Sequence, residues 1–261
     1  MKYLIIGDIH CRNFWRQAIT NNQADKIIFL GDYLDPYGDE FENPDKMEGA
    51  TFYDVDAYMR MLNDIIGLKK NEPNKYILLT GNHTDGYIWP DFASASRQDS
   101  EHWDIYHYFF KENLKYFNFV WKEKNVIFSH AGITEGWAHD FLFKYMKYED
   151  NDITNYVSEC ADILMNTALE DFNKYYIQAI SNISYYRGGL NFNGSCEWAD
   201  LKEHINLKES VTKIIPKGID GIYQVFGHTQ VYNPIITDKW ACLDCRKAFI
   251  IDIDTFEITE C

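Results

Sequence analysis

Five times along the chain, an apolar run rich in β-branched and aromatic residues stops abruptly at a cluster of Gly, Asp, Asn or His. Tyr3–Ile6 leads into Gly7-Asp8-Ile9-His10, Lys26–Leu30 into Gly31-Asp32-Tyr33-Leu34-Asp35, and Tyr76–Thr80 into Gly81-Asn82-His83. Val126–Phe128 leads into Ser129-His130-Ala131-Gly132, and Tyr223–Phe226 into Gly227-His228-Thr229. Short continuous apolar runs of this kind predict strands buried on both faces. Between them, Phe14–Thr20, Asp54–Leu68 and Trp103–Tyr116 carry a helical period, with Val55, Tyr58, Met59, Leu62 and Ile66 expected on one stripe of the second. Alternating strands and helices predict an α/β chain with parallel strands and helices on the sheet faces. Ligands in such sheets gather outside the carboxyl ends of strands, which is where all five polar clusters fall.

The rhythm breaks between about residues 134 and 216. This stretch reads as helical and aromatic (Tyr145, Tyr148, Tyr156, Phe172, Tyr175, Tyr176, Tyr185, Tyr186), with turn-like Arg187-Gly188-Gly189 and Asn191–Ser195 segments. We expect a helical cap inserted into one domain spanning residues 1–261, its aromatic side chains serving packing. Beyond His228, strand character returns at Ile235–Thr237, Trp240–Leu243, Ala248–Ile253 and Phe256–Thr259, which predicts a second sheet packed on the first.

Hydrophobic residues make up 46% and charged residues 25%, as in an ordinary globular chain and unlike a disordered one. Lys and Arg number 25 against 40 Asp and Glu, a net charge of −15. That balance argues against a nucleic-acid partner, because such binding rests on neutralising phosphates with Lys and Arg. An anionic substrate stays open, since bound metal ions supply local positive charge. No stretch approaches the roughly 20 apolar residues of a membrane helix, and Met1–Asp8 turns charged too soon for a signal-peptide core. With six scattered cysteines, the expectation is a cytoplasmic protein without a disulfide framework. The acidic run Asp39–Asp45 reads as a solvated loop.

Asp8, His10, Asp32, Asn82, His130 and His228 combine carboxylate, amide and imidazole donors. Such a set suits first-row divalent ions, Mn first, with Fe or Zn as alternatives. One carboxylate can bridge two ions roughly 3.5–4 Å apart, the clamp used in phosphoester hydrolysis, where a bridging water becomes a hydroxide nucleophile near neutral pH. His83, directly after Asn82, is expected to protonate the leaving oxygen without binding metal, with Asp35 orienting its ring. Singly, these residues also read as helix caps or polar core groups; jointly, at five strand ends, they read as a site.

In this order the five blocks resemble the signature of the calcineurin-like metallophosphoesterases, and they span nearly the whole chain. The resemblance implies a two-sheet α/β/β/α sandwich of the metallophosphoesterase type, built around two divalent metal ions. It implies Asp8 and His10 on one metal, Asp32 bridging, and Asn82, His130 and His228 on the other. The Gly-Asp-Tyr-x-Asp block resembles the Ser/Thr phosphatase branch, with its phage and bacterial members. So does Gln230, where many diesterase-type members place a second His. The implied activity is hydrolysis of a phosphomonoester, carried by a protein or by a nucleotide or other metabolite. The alternatives are a phosphodiesterase or nuclease, or a non-catalytic scaffold of the same fold.

Two positions depart from that branch. Pro36 stands where it usually has a phosphate-contacting arginine, and Thr84 where an acid usually follows the catalytic His. Arg187, close to Trp198-Ala199-Asp200, resembles substrate-side elements of some members and is the expected replacement, ahead of Arg12 and Arg97. Cys242-x-x-Cys245 lacks the second pair that a structural zinc needs and reads as buried strand cysteines. His102, His107, His139 and His204 read as surface or cap residues.

Overall fold

Each of the predicted apolar runs forms a strand, and hydrogen bonding sorts the strands into two mixed sheets. The computed structural model describes residues 1–37, 54–92, 94–149, 153, 155–205 and 221–261. The acidic run Asp39–Asp45 therefore lies outside the described residues. The chain divides into two units, residues 1–117 with 245–261, and residues 118–244.

The first unit contains β1 (Lys2–Ile6), β2 (Lys26–Phe29) and β3 (Tyr76–Leu79), side by side and parallel. Ile6 pairs with Phe29 and Phe29 with Leu78, so the three strands end level. Level ends bring Gly7-Asp8, Gly31-Asp32 and Gly81-Asn82 out of one sheet edge. Helix α1 (Phe14–Asn21) follows β1, α2 (Val55–Asn71) precedes β3, and α3 (Asn82–Ile88) and α4 (Trp103–Asn113) follow it. Asp54 starts α2 by accepting the Ala57 N–H at 2.9 Å, satisfying one of the orphan donors of the first turn. The buried stripe of α2 is Ala57, Tyr58, Met61, Leu62, Ile65 and Ile66. Val55 and Met59 are only half-buried, so the expected stripe was rotated toward the wrong edge. The spacing 58, 61, 62, 65, 66 is the regular core-facing set; Met59 lies at its edge, and Val55 is the first residue of the helix.

The second unit opens with β5 (Val120–Glu123), after β4 (Phe117–Asn118), the edge strand beside β3. Its sheet runs β5, β6 (Val126–Ser129), β7 (Tyr223–Phe226), β9 (Trp240–Cys242), β8 (Ile235–Ile236), with β6, β7 and β9 parallel. Helices α5 (Glu135–Asp140), α6 (Tyr156–Asn166) and α7 (Lys174–Ile180), with a π-helical turn at Phe141–Tyr145, lie in the first part of the stretch expected to be helical; its described residues 181–205 hold only short 3-10 turns, and 206–216 lie outside the described residues. Its aromatics divide. Trp137, Phe141 and Tyr176 pack on one another, whereas Tyr185 and Tyr186 are exposed, so packing does not account for all of them.

The late strands correct a second expectation. They form no sheet of their own: β8 and β9 join β7, while β10 (Ala248–Asp252) and β11 (Glu257–Glu260) join β1. The five cluster-bearing strands likewise divide three and two between the sheets. A strand buried on both faces carries the same apolar pattern whichever neighbours it pairs with, so pattern does not assign a sheet. None of the six cysteines is in a disulfide; Cys242 and Cys245 are buried, and the Cys242 thiol faces the Thr229 carbonyl at 3.4 Å. No helix among the described residues is long and apolar enough to cross a membrane.

Candidate metal centre

In the first unit the loops after β1 and β2 are stitched together by backbone. The Asp32 carbonyl accepts the N–H groups of Ile9 (3.0 Å) and His10 (2.8 Å), and the Tyr33 carbonyl accepts that of Cys11. Reaching this arrangement forces His10, Asp32 and Asp35 into the left-handed region, at φ 43°, 46° and 62°. Each such non-glycine residue costs roughly 1–2 kcal/mol, strain of the kind that concentrates at functional sites. The result is a buried cluster in which one ligand atom each from Asp8, His10 and Asp32 lies within 4.8 Å of the others.

The His10 ring is oriented for ligation. Its Nδ1 sits 2.8 Å from the Leu34 carbonyl, which can only accept, so Nδ1 carries the proton and Nε2 presents a lone pair. Burial pushes its pKa down to about 3, against the opposing pull of Asp32, so the ring stays neutral as a metal ligand must be. Gly81 fits this cluster for a steric reason. A Cβ there would lie 2.3 Å from Asp32 Oδ1 and 2.7 Å from the Asp32 backbone nitrogen.

Asn82 opens α3 and is buried; His83 follows it. The His83 N–H donates to Asp32 Oδ1 at 3.0 Å, and its ring Nδ1 lies 2.8 Å from Asp35 Oδ2 and 3.0 Å from the Arg97 carbonyl. Both ring partners are acceptors, which puts the proton on Nδ1 and leaves Nε2 for other chemistry. Burial lowers the His83 pKa, but Asp32 and Asp35 outweigh it and the net direction is up. The His10 and His83 rings meet edge to face, 5.1 Å apart. Pro36 and Thr84, the two departures, are both buried.

In the second unit, His130 and His228 follow β6 and β7. His130 Nε2 and His228 Nδ1 are 3.1 Å apart, and the Gly227 N–H donates to the His130 carbonyl at 2.7 Å. His228 is also left-handed, at φ 62°. Arg187 ends a 3-10 turn, Tyr185–Arg187. Its Nε forms an ion pair with Asp200 at 2.9 Å, and its Nη2 donates to Thr229 Oγ1 and to the His228 carbonyl at 3.2 Å.

A family model for calcineurin-like phosphoesterases matches residues 1–232. The chain belongs to that family. As a calcineurin-like phosphoesterase it is a metal-dependent enzyme acting on phosphoesters, in a family that uses a dinuclear divalent-metal centre. Among solved structures the chain is similar to a protein serine/threonine phosphatase from Saccharomyces cerevisiae, described as having similarity to human phosphatase PP5. That likeness has a TM-score of 0.48 at 11% identity and covers 100% of this chain and 79% of the other. No curated protein matches the chain.

The donor set of this phosphoesterase fits a divalent ion: two buried carboxylates and a neutral imidazole with a bare Nε2 converge within one unit. Of the weaker arginine candidates, Arg12 is buried, its Nη1 bonded to the Asp8 and Ile9 carbonyls. Arg97 is exposed and stacks on Tyr37, its guanidinium carbon 4.4 Å from the ring centre. His204, read as a surface or cap residue, is buried and stacked on Phe226. A Cβ on Gly132 would lie 2.6 Å from its Nε2. Tyr87, absent from the expected site residues, reaches Asp35; the one sequence signal for it is its position four residues after His83 in a helix.

Proposed function

We propose that this chain is a phosphomonoesterase that holds two divalent ions, Mn first among them. The reading gives Asp8 and His10 to one ion, Asp32 to both, and Asn82, His130 and His228 to the other. When bound, the ions would supply positive charge for the phosphoryl oxygens and acidify a water. The chain's own contribution is proton transfer and orientation. His83, held by Asp35 through Nδ1 and favoured as the doubly protonated imidazolium by Asp32 and Asp35, delivers its Nε2 proton to the leaving oxygen and is left neutral, and Arg187 binds the phosphate. The observation that carries this reading is the 2.8 Å His83–Asp35 hydrogen bond, made beside the Asp8–His10–Asp32 cluster. An exposed Gln230, where a diesterase-type second histidine would stand, favours monoesters over diesters. The phosphorylated substrate is a protein or a small molecule. We further read residues 1–261 as one cytoplasmic phosphoesterase domain with a helical insertion at about 134–216.

The test is turnover of p-nitrophenyl phosphate beside bis-p-nitrophenyl phosphate. The monoester should turn over with added Mn, far faster than the diester, and stop in EDTA. Preference for the diester would replace the reading with a phosphodiesterase. Absence of turnover with any first-row metal would leave a scaffold.

A further inference from the structure

Asp35 is held at both carboxylate oxygens. Oδ2 meets His83 Nδ1 at 2.8 Å; Oδ1 accepts the Tyr87 hydroxyl at 2.5 Å. Its backbone carbonyl accepts Arg97 Nη2 as well. Tyr87 is fully buried in α3, one helical turn beyond His83, so both side chains reach Asp35 from the same face. Its ring is wedged between Tyr106, edge-on at 5.2 Å, and Phe110, stacked at 6.3 Å. The hydroxyl has a defined polarity. The Asp99 N–H donates to it at 2.8 Å, occupying a lone pair, and the phenolic proton is directed to Asp35. Beyond it, Asp99 Oδ2 lies 2.8 Å from His102 Nδ1, near the surface. That chain of contacts is not a proton wire, because its middle link is a backbone N–H, which does not pass its proton on. It is a frame.

We propose that Tyr87 is a positioning residue for His83: by fixing Asp35 Oδ1 it presents Oδ2 to Nδ1 and aims Nε2 of the imidazole at the leaving oxygen. This rests on the proton-donor role given to His83 above. Without the hydroxyl, Asp35 Oδ1 loses its anchor, and the aim of the imidazole rests on a less firmly held Oδ2 and the Arg97 carbonyl while the phosphate and metal contacts remain.

The experiment is a double-mutant cycle of Tyr87→Phe and His83→Ala on Mn-loaded protein, with phenyl phosphate and p-nitrophenyl phosphate as probes. Tyr106→Phe serves as a control, since it removes a buried hydroxyl with no hydrogen-bond partner among the described residues. His83→Ala should cut kcat on phenyl phosphate roughly 10²–10⁴-fold. Tyr87→Phe should cut it about 5- to 30-fold, less than the full worth of the charge-assisted hydrogen bond it removes because Tyr87 acts only through Asp35. The loss should be smaller on the better leaving group, with KM and metal content unchanged. In the His83→Ala background Tyr87→Phe should have no further effect. Wild-type kcat on phenyl phosphate, an equal loss in the His83→Ala background, or a matching loss in Tyr106→Phe would each overturn the proposal. If His83→Ala itself retains wild-type rates, the role of His83 falls, and this inference with it.

Discussion

A guanidinium offers five N–H donors; on Arg187 those of Nη2 meet Thr229 and the His228 carbonyl, while Nε lies 2.9 Å from Asp200 as an ion pair without a directed hydrogen bond. The two on Nη1 have no partner among the described residues, and the side chain keeps 27% of its surface exposed. The fork is thus braced on one edge and open on the other, which suits bidentate contact with phosphate. Arg187→Lys should bring the charge without the brace, and Arg187→Ala should remove both. Each is expected to lower kcat/KM by about 10- to 100-fold and to weaken inhibition by inorganic phosphate, with metal content unchanged. Wild-type efficiency in both variants would reduce Arg187 to a tie between Asp200 and Thr229. Nothing in Arg187-Gly188-Gly189 announces that brace, because Asp200 and Thr229 are 13 and 42 residues away. The same holds for His204, whose burial against Phe226 no local pattern reveals.

Elements matter here through how closely two of them approach. The turn from β3 into α3 runs against the loop after β2, and Gly81 is the residue at the contact. Gly81→Ala would press a methyl into the Asp32 backbone nitrogen, which cannot swing aside as a side chain does. We expect a loss of roughly 1–3 kcal/mol, the usual cost of overpacking, together with weakened metal binding as Asp32 is displaced. Gly67 makes the opposite case. It lies in the middle of α2 with nothing within 4 Å of the Cβ position, so Gly67→Ala should stabilise by about 0.5–1 kcal/mol. Thermal unfolding of the two variants, with metal analysis of each, checks the contrast; the same sign for both would refute it. The stripe of α2 belongs to this scale too. A 3.6-residue period marks a helix well before it marks which edge of the stripe is buried, and packing against the sheet settled that choice in favour of Met61 and Ile65.

The whole molecule carries a net charge of −15 and buries Asp8, Asp32 and Asp35 in one unit. An ion that binds the folded chain should therefore also stabilise it. At a hundredfold excess over Kd, the gain is about 2.7 kcal/mol for one site. Adding Mn should raise Tm by several degrees, and EDTA should reverse the change. Asp32→Asn should abolish the shift, and His228→Ala should lower the metal stoichiometry. A full Mn response in Asp32→Asn would remove that residue from the proposed ligands. By itself, the sequence determined the strands, the polar cluster ending each of five of them, and the donor types those clusters offer. These features are local: an apolar run and the residues at its end are adjacent in the chain, and donor chemistry is a property of residue type. Tertiary structure alone decided that β10 and β11 join β1 while β8 and β9 join β7. It also decided that Tyr87 bonds Asp35, 52 residues away, and that Arg187 is braced by Thr229. Such pairings are chosen by which surfaces fit once distant segments meet, and an apolar strand or a tyrosine in a helix reads the same in the sequence whichever partner it finds.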